Sequence, residues 1–223
     1  MALTFSFEEF TCECSHRYQS VALQSGVRLV SLHQRCEALL EIHHPKRFGL
    51  LDCKAGCGSC CVVNVSVLLP EALAIVEYLE TQPGIDLETF GKSLDQLWTR
   101  ICGVADEDRV GMHQPCVFLD ETGSCTVYPV RPLLCRGATS TDVERCRQAL
   151  RTDLFTEDST VTMNLFQREL YDAAYVGLSE GLEQGGIDGR GFELTGIVRY
   201  LLVSPQRRPE LQSGLRLNWR ELV

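Results

Sequence analysis

Between residues 53 and 61 the chain reads Cys53-Lys-Ala-Gly-Cys57-Gly-Ser-Cys60-Cys61. Four thiols so close together, with two glycines among them, have no packing rationale. Their offsets would put all four sulfurs on one face of a helix. Gly56 and Gly58 argue against a regular helix and for tight turns whose N–H groups can face sulfur. A second set follows at wider intervals: Cys116, Cys125, Cys135 and Cys146, with eight, nine and ten residues between neighbours. Thiolates are soft ligands that select zinc, copper(I) or iron–sulfur clusters. Four of them complete one tetrahedral zinc site or one [4Fe–4S] cluster. Adjacent side chains diverge, so Cys60 and Cys61 do not both suit one mononuclear ion. One of them serves a second metal, bridges two metals or acts as a reactive thiol. Arg131 and Arg136 flank Cys135 and are candidate cofactor contacts, because their charge lowers thiol pKa values and offsets an anionic thiolate cluster. The candidate metal ligands are therefore Cys53, Cys57, Cys60, Cys61, Cys116, Cys125, Cys135 and Cys146, with an iron–sulfur cluster, iron or zinc as the expected partner.

The surrounding sequence is that of an ordinary globular chain. With 223 residues, 44% hydrophobic and 23% charged, it can bury a core without covalent staples and is not disordered. Thirty acidic against 21 basic residues give a net charge of −9, a poor match to phosphate backbones, so no nucleic-acid partner is expected. The acidity is uneven: residues 71–110 are strongly acidic, whereas residues 131–151 hold five arginines and two acids. The longest apolar stretch, Cys60 to Leu69, is broken by Asn64 and Ser66 and is too short to span a bilayer. The opening MALTFSFEEF has neither a basic n-region nor an apolar h-region. A reducing cytoplasmic location is expected, where clustered cysteines serve metal or redox chemistry rather than disulfides. Cys36 and Cys102 read as buried helix residues, and Cys12-x-Cys14-x-His16 as part of an unstructured arm. His33, three residues before Cys36, is read as incidental. His43, His44 and His113 are read as surface residues.

Residues 1–18 lack a period and are read as an extended arm. Residues 19–43 are read as a helix closed by Pro45, and 49–61 as an irregular Gly/Cys segment. Val63, Val65 and Val67 alternate with polar residues in a short extended piece. Pro70 and Glu71 open a helix to about residue 80; Pro83-Gly84 breaks it before another helix over about 86–104. Residues 115–128 suggest a β-hairpin turning at Gly123. Thr141 with Glu144 forms a capping-box signature for a helix that carries Cys146. A helix over about 160–184 ends at Gly185-Gly186 and a last one, over about 192–203, at Pro205. The expected fold is mainly α: a helical single domain over 19–213 around a cysteine-rich centre with a short hairpin, and a tail at 214–223.

These residues resemble the YkgJ family, the zinc- or iron-chelating CxxCxxCC proteins. The resemblance rests on Cys53 to Cys61, on Pro70-Glu71-Ala72, and on Pro115-Cys116-Val-Phe-Leu119. It continues through Gly123-Ser-Cys125, Tyr128, Arg131-Pro132, Cys135-Arg136, Ser140 and Cys146. The first gap here has three residues where the family name implies two. The resemblance implies metal chelation. It also points, through a related module in flagellin lysine-N-methylases, to an iron–sulfur-dependent redox or protein-modifying enzyme as an alternative. No HExxH, Gly-x-Ser-x-Gly or phosphate loop is present to name a hydrolase or NTPase. The Cys53-x3-Cys57-x2-Cys60 spacing matches the radical S-adenosylmethionine motif, but the repeated strands of that barrel are missing. Cys57-Gly-Ser-Cys60 lacks the βαβ context of a thiol–disulfide oxidoreductase.

Overall fold

A computed structural model describes residues 5–19, 27–46, 50–151 and 160–222. The architecture is mainly helical: ten α-helices among the described residues, and one two-stranded sheet. Two long-range packings organise it, one built on helix α8 (Leu165–Gln184) and one on α9 (Leu194–Val203).

The N-terminal segment expected as extended is instead helix α1 (Phe7–Gln19). Ser6 Oγ accepts the Glu9 N–H at 3.2 Å, satisfying one free donor of the first turn. Phe10, Cys14 and Tyr18 recur every fourth residue and form its buried face. The acids and cysteines between them mask this stripe in the sequence. That face lies along α8, where Gly177 and Gly181 allow the backbones to approach. A Cβ on Gly181 would sit 2.7 Å from the Ser15 carbonyl oxygen. Gly181→Ala is therefore expected to lower stability by about 1–3 kcal/mol, read as a shift of the urea midpoint. An unchanged midpoint would show that the two helices are not held this closely.

Helix α2 (Val27–His43) buries Leu29, Leu32, Cys36, Leu39 and Leu40, and Tyr171 of α8 donates to Glu37 Oε1 at 2.7 Å. The part of the expected 19–43 helix at 20–26 lies outside the described residues, as does the stretch before Leu165 at 152–159. Helices α3 (Leu69–Thr81) and α4 (Leu87–Ile101) pack on α9. Asp86 caps α4 by accepting the Glu88 N–H at 3.0 Å. Trp98 packs closely against Gly196 and donates its indole N–H to Leu222 O at 2.7 Å.

Three short helices escaped the sequence reading: α5 (Asp106–Gly111), α6 (Leu133–Gly137) and α10 (Arg208–Gln212). None is long enough to show a period, and packing rather than propensity holds them. Helix α7 (Val143–Arg151) starts one residue later than the Thr141–Glu144 signature suggests, because Asp142 Oδ1 accepts the Glu144 and Arg145 N–H groups, both at 3.0 Å.

The sheet pairs β1 (Ser66–Val67) with β2 (Phe192–Glu193), antiparallel, with Ser66 opposite Glu193 and Val67 opposite Phe192. It fastens the chain just after Cys61 to the start of α9. The hairpin expected over 115–128 reduces to a single antiparallel bridge, Leu119 to Cys125. Asp120 explains why. Its Oδ1 accepts the Thr122 and Ser124 N–H groups at 2.8 and 2.9 Å, so a side chain organises the turn, beside the cross-strand backbone bonds Asp120 N–H to Ser124 O and Thr126 N–H to Phe118 O.

Candidate metal centre

Residues 51–63 form consecutive turns without a helix. The Cys57 N–H bonds to Lys54 O and the Cys61 N–H to Gly58 O, both at 3.0 Å, and Gly56 takes a φ of +83°. The glycines thus permit the tight winding that the sequence suggested. They also let this loop seat on the second cysteine block. A Cβ on Gly58 would meet Leu119 Cδ1 at 2.8 Å, and one on Gly123 would meet the Gly56 carbonyl oxygen at 2.8 Å. Backbone meets backbone where any side chain would intervene.

Both ends of the loop are tied as well. The Cys116 N–H donates to Cys61 O at 2.7 Å, joining the two blocks at cysteines. The Asp52 N–H donates to Ser140 O at 3.0 Å, and Asp52 Oδ2 accepts the Val143 N–H at 3.0 Å. The Ser140 N–H points at Cys53 Sγ at 3.1 Å, a backbone donor aimed at sulfur. Cys135 rides on α6, which α8 holds: Gln167 Nε2 donates to Arg136 O at 2.9 Å. Glu71, fully buried at the start of α3, fixes the other end of α6. Its Oε1 accepts the Leu133 N–H at 2.7 Å and its Oε2 the Leu68 N–H at 2.8 Å.

All eight candidate cysteines are free thiols; Cys53 is exposed and the other seven are half-buried. Their mutual electrostatics show which are neighbours. Cys53 feels Cys57, Cys60 and Cys146, while Cys116 feels Cys125, and Cys61 feels Cys60 and Cys116. The two blocks thus meet in one region. Burial pushes the Cys116 thiol up to about 11 and Cys135 up as well. Cys60 goes the other way: its interaction with the adjacent Cys61 thiol and the nearby Arg131 guanidinium lower its pKa, while Cys60 and burial push that of Cys61 up. Among the described residues no three His, Cys, Asp or Glu side chains already stand in a geometry that holds an ion.

The two arginines chosen from the sequence divide. Arg131 stands among Cys135, Cys60 and Cys61, with its guanidinium carbon 5.8 Å from the centre of the Tyr128 ring. Arg136 directs its guanidinium to backbone oxygens, of Arg131 at 2.8 Å, Pro129 at 3.0 Å and Tyr128 at 3.3 Å, and so braces the 3₁₀ turn Tyr128–Val130. Two residues near the cysteines were missed: Glu71, read only as a first-turn acid, and Arg109, hidden in the acidic run of α5. Arg109 is 2% exposed, and its Nε and Nη1 have no partner. Only the three-dimensional packing reveals either.

Residues 52–159 match the sequence model of the CxxCxxCC family, described as a putative zinc- or iron-chelating domain. Over that segment, just under half of its length, the chain is similar to the CxxCxxCC family. The matched segment contains all eight candidate cysteines, Glu71, Arg109, Arg131 and Arg136. Neither the curated proteins nor the solved structures gave a match to the chain. The matched domain is one described as chelating zinc or iron, and the thiols here supply soft donors for such a metal. The donor set fits such a metal: cationic Arg131 lies among the thiols, and Arg109, whose Nε and Nη1 lack acceptors, feels the charge of Cys116. No helix among the described residues is long and apolar enough to cross a membrane.

The remaining cysteines lie elsewhere. Cys14 and Cys36 are buried in the α1 and α2 faces, where desolvation pushes both thiols up. His33 is buried with both ring nitrogens unpartnered, and burial pushes its pKa down to about 3. It stays neutral at any physiological pH.

Proposed function

We propose that Cys53, Cys57, Cys60, Cys61, Cys116, Cys125, Cys135 and Cys146 ligate an iron–sulfur cluster or a thiolate-bound metal in a cytoplasmic protein. An iron–sulfur cluster is the reading the site supports best. The observation that carries an anionic thiolate centre is Arg131, a cation placed among Cys60, Cys61 and Cys135. A cluster on four thiolates is anionic, and a neighbouring guanidinium offsets that charge. When bound, the cluster would supply one-electron chemistry. The protein would supply the sulfurs, the backbone N–H of Ser140 at Cys53, and the docking that brings the two blocks together.

Anaerobic purification followed by absorption, iron and acid-labile sulfide analysis tests this. A brown chain with a band near about 400 nm and matching iron and sulfide is expected. Cys57→Ser and Cys60→Ser should each lower the iron bound per chain to less than about half, since each removes one of four required ligands. A colourless wild type holding one or two zinc ions would replace the cluster with closed thiolate sites. Wild-type metal content in both serine variants would remove these cysteines from the ligand set.

A further inference from the structure

Arg109 is a buried cation without an adequate acceptor. It lies on α5, 2% exposed, with Nε and Nη1 both unpartnered. The charged groups that act on it are Glu193 and Cys116. Glu193 accepts from neither nitrogen; its carboxylate caps α9 by accepting the Gly196 N–H at 2.8 Å and the Thr195 hydroxyl at 3.2 Å. A neutral thiol is a weak acceptor, whereas a thiolate accepts a charge-assisted hydrogen bond. A buried guanidinium with two idle donors is costly, so something in the working protein must accept from it.

Cys116 is where that acceptor would appear. It joins the two cysteine blocks through its N–H to Cys61 O at 2.7 Å. Arg131 serves Cys60, Cys61 and Cys135, which leaves Cys116 without a cation from the second block. We propose that Arg109 is the positioning residue of the centre, a buried guanidinium that donates to the Cys116 sulfur once it is a metal-bound thiolate. The inference rests on the metal-centre reading above. It assigns to α5 a role that nothing in the cysteine spacing suggests: closing the centre from the side of β2 and α9.

The test uses the full chain carrying the metal with which it is purified, released by a graded series of chelator concentrations. Arg109→Met keeps the length and removes charge and donors. It is expected to release metal at about 10- to 100-fold lower chelator, the usual cost of losing a partner of a ligating residue. Arg109→Lys should fall between Met and wild type, and Glu193→Gln should stay within about 2-fold of wild type, because its amide oxygen can still cap α9. The double variant Arg109→Met/Glu193→Gln should stay as weak as Arg109→Met. Wild-type retention in that double variant would mean that Arg109 only neutralises Glu193, and would overturn the inference. So would wild-type retention in Arg109→Met. Should Arg109→Met lose its helical circular dichroism, Arg109→Gln takes its place with the same expectation. A wild type that carries no metal overturns the metal-centre reading itself, an outcome distinct from metal-loaded variants that match wild type.

Discussion

Gly123→Ala is expected to separate the two cysteine blocks and to empty the metal centre, at a cost of about 2–5 kcal/mol. Two penalties add. Gly123 has a φ of +77°, a left-handed backbone in which an L-residue pays about 1–2 kcal/mol. A Cβ there would lie 2.8 Å from the Gly56 carbonyl oxygen, closer than a methyl group can stand. The oxygen belongs to backbone inside the first cysteine loop, so relief means moving that loop away from the 119–125 turn. Gly84 supplies the control. Its φ is +93°, yet nothing lies within 4 Å of a Cβ built on it, so Gly84→Ala carries the conformational penalty alone. Chemical denaturation and metal content are measured on both. Gly123→Ala should be the less stable variant and should hold less metal, whereas Gly84→Ala should keep the wild-type content. Equal losses in the two would mean that the glycine-to-glycine contact does not hold the blocks together.

This contact shows what the sequence could and could not say. The eight cysteines stood out as candidates because their spacing suggests no packing role, and the glycines between them because a tight loop needs them. That Gly56 and Gly123 touch was not legible, since nothing local links them. Helices α3, α4, α8 and α9 were marked by Pro70, Pro83-Gly84, Gly185-Gly186 and Pro205, residues whose backbone chemistry acts locally. Helix α1 was missed because Phe10, Cys14 and Tyr18 are its only strongly apolar stripe, and α8 rather than propensity stabilises it. Arg131 and Arg136 looked equivalent beside Cys135. Only the fold shows that Arg131 stands among Cys60, Cys61 and Cys135 while Arg136 braces carbonyls. Arg109 and Glu71 carry no local signal, because each acts on a segment distant in the chain.

Glu71 should give the largest loss from a single side chain that touches no cysteine. Its carboxylate joins the first turn of α3 to the first turn of α6, two residues before Cys135, through the Leu68 and Leu133 N–H groups. Removing it as Glu71→Ala strands two buried donors at about 1–3 kcal/mol each, or about 2–6 kcal/mol together. Metal content should fall in step, because α6 is freed at the end that presents Cys135. Glu71→Gln keeps one acceptor and the volume, so its loss should be about half as large. The pH dependence separates the electrostatic role from simple space-filling. Burial pushes the Glu71 pKa up to about 7, against the pull of the two N–H groups and Arg136. The folded chain then binds the proton more tightly than the unfolded one. The stability this group contributes is fully present below the ordinary carboxylate range and is lost as pH rises through about 7. Glu71→Gln cannot titrate, so the gap between it and wild type should be widest near pH 5 and narrow toward pH 8. A gap that stays constant across that range would mean that the carboxylate titrates at its ordinary pKa. A Glu71→Ala variant with wild-type stability and metal content would leave α6, and Cys135 with it, anchored by α8 alone.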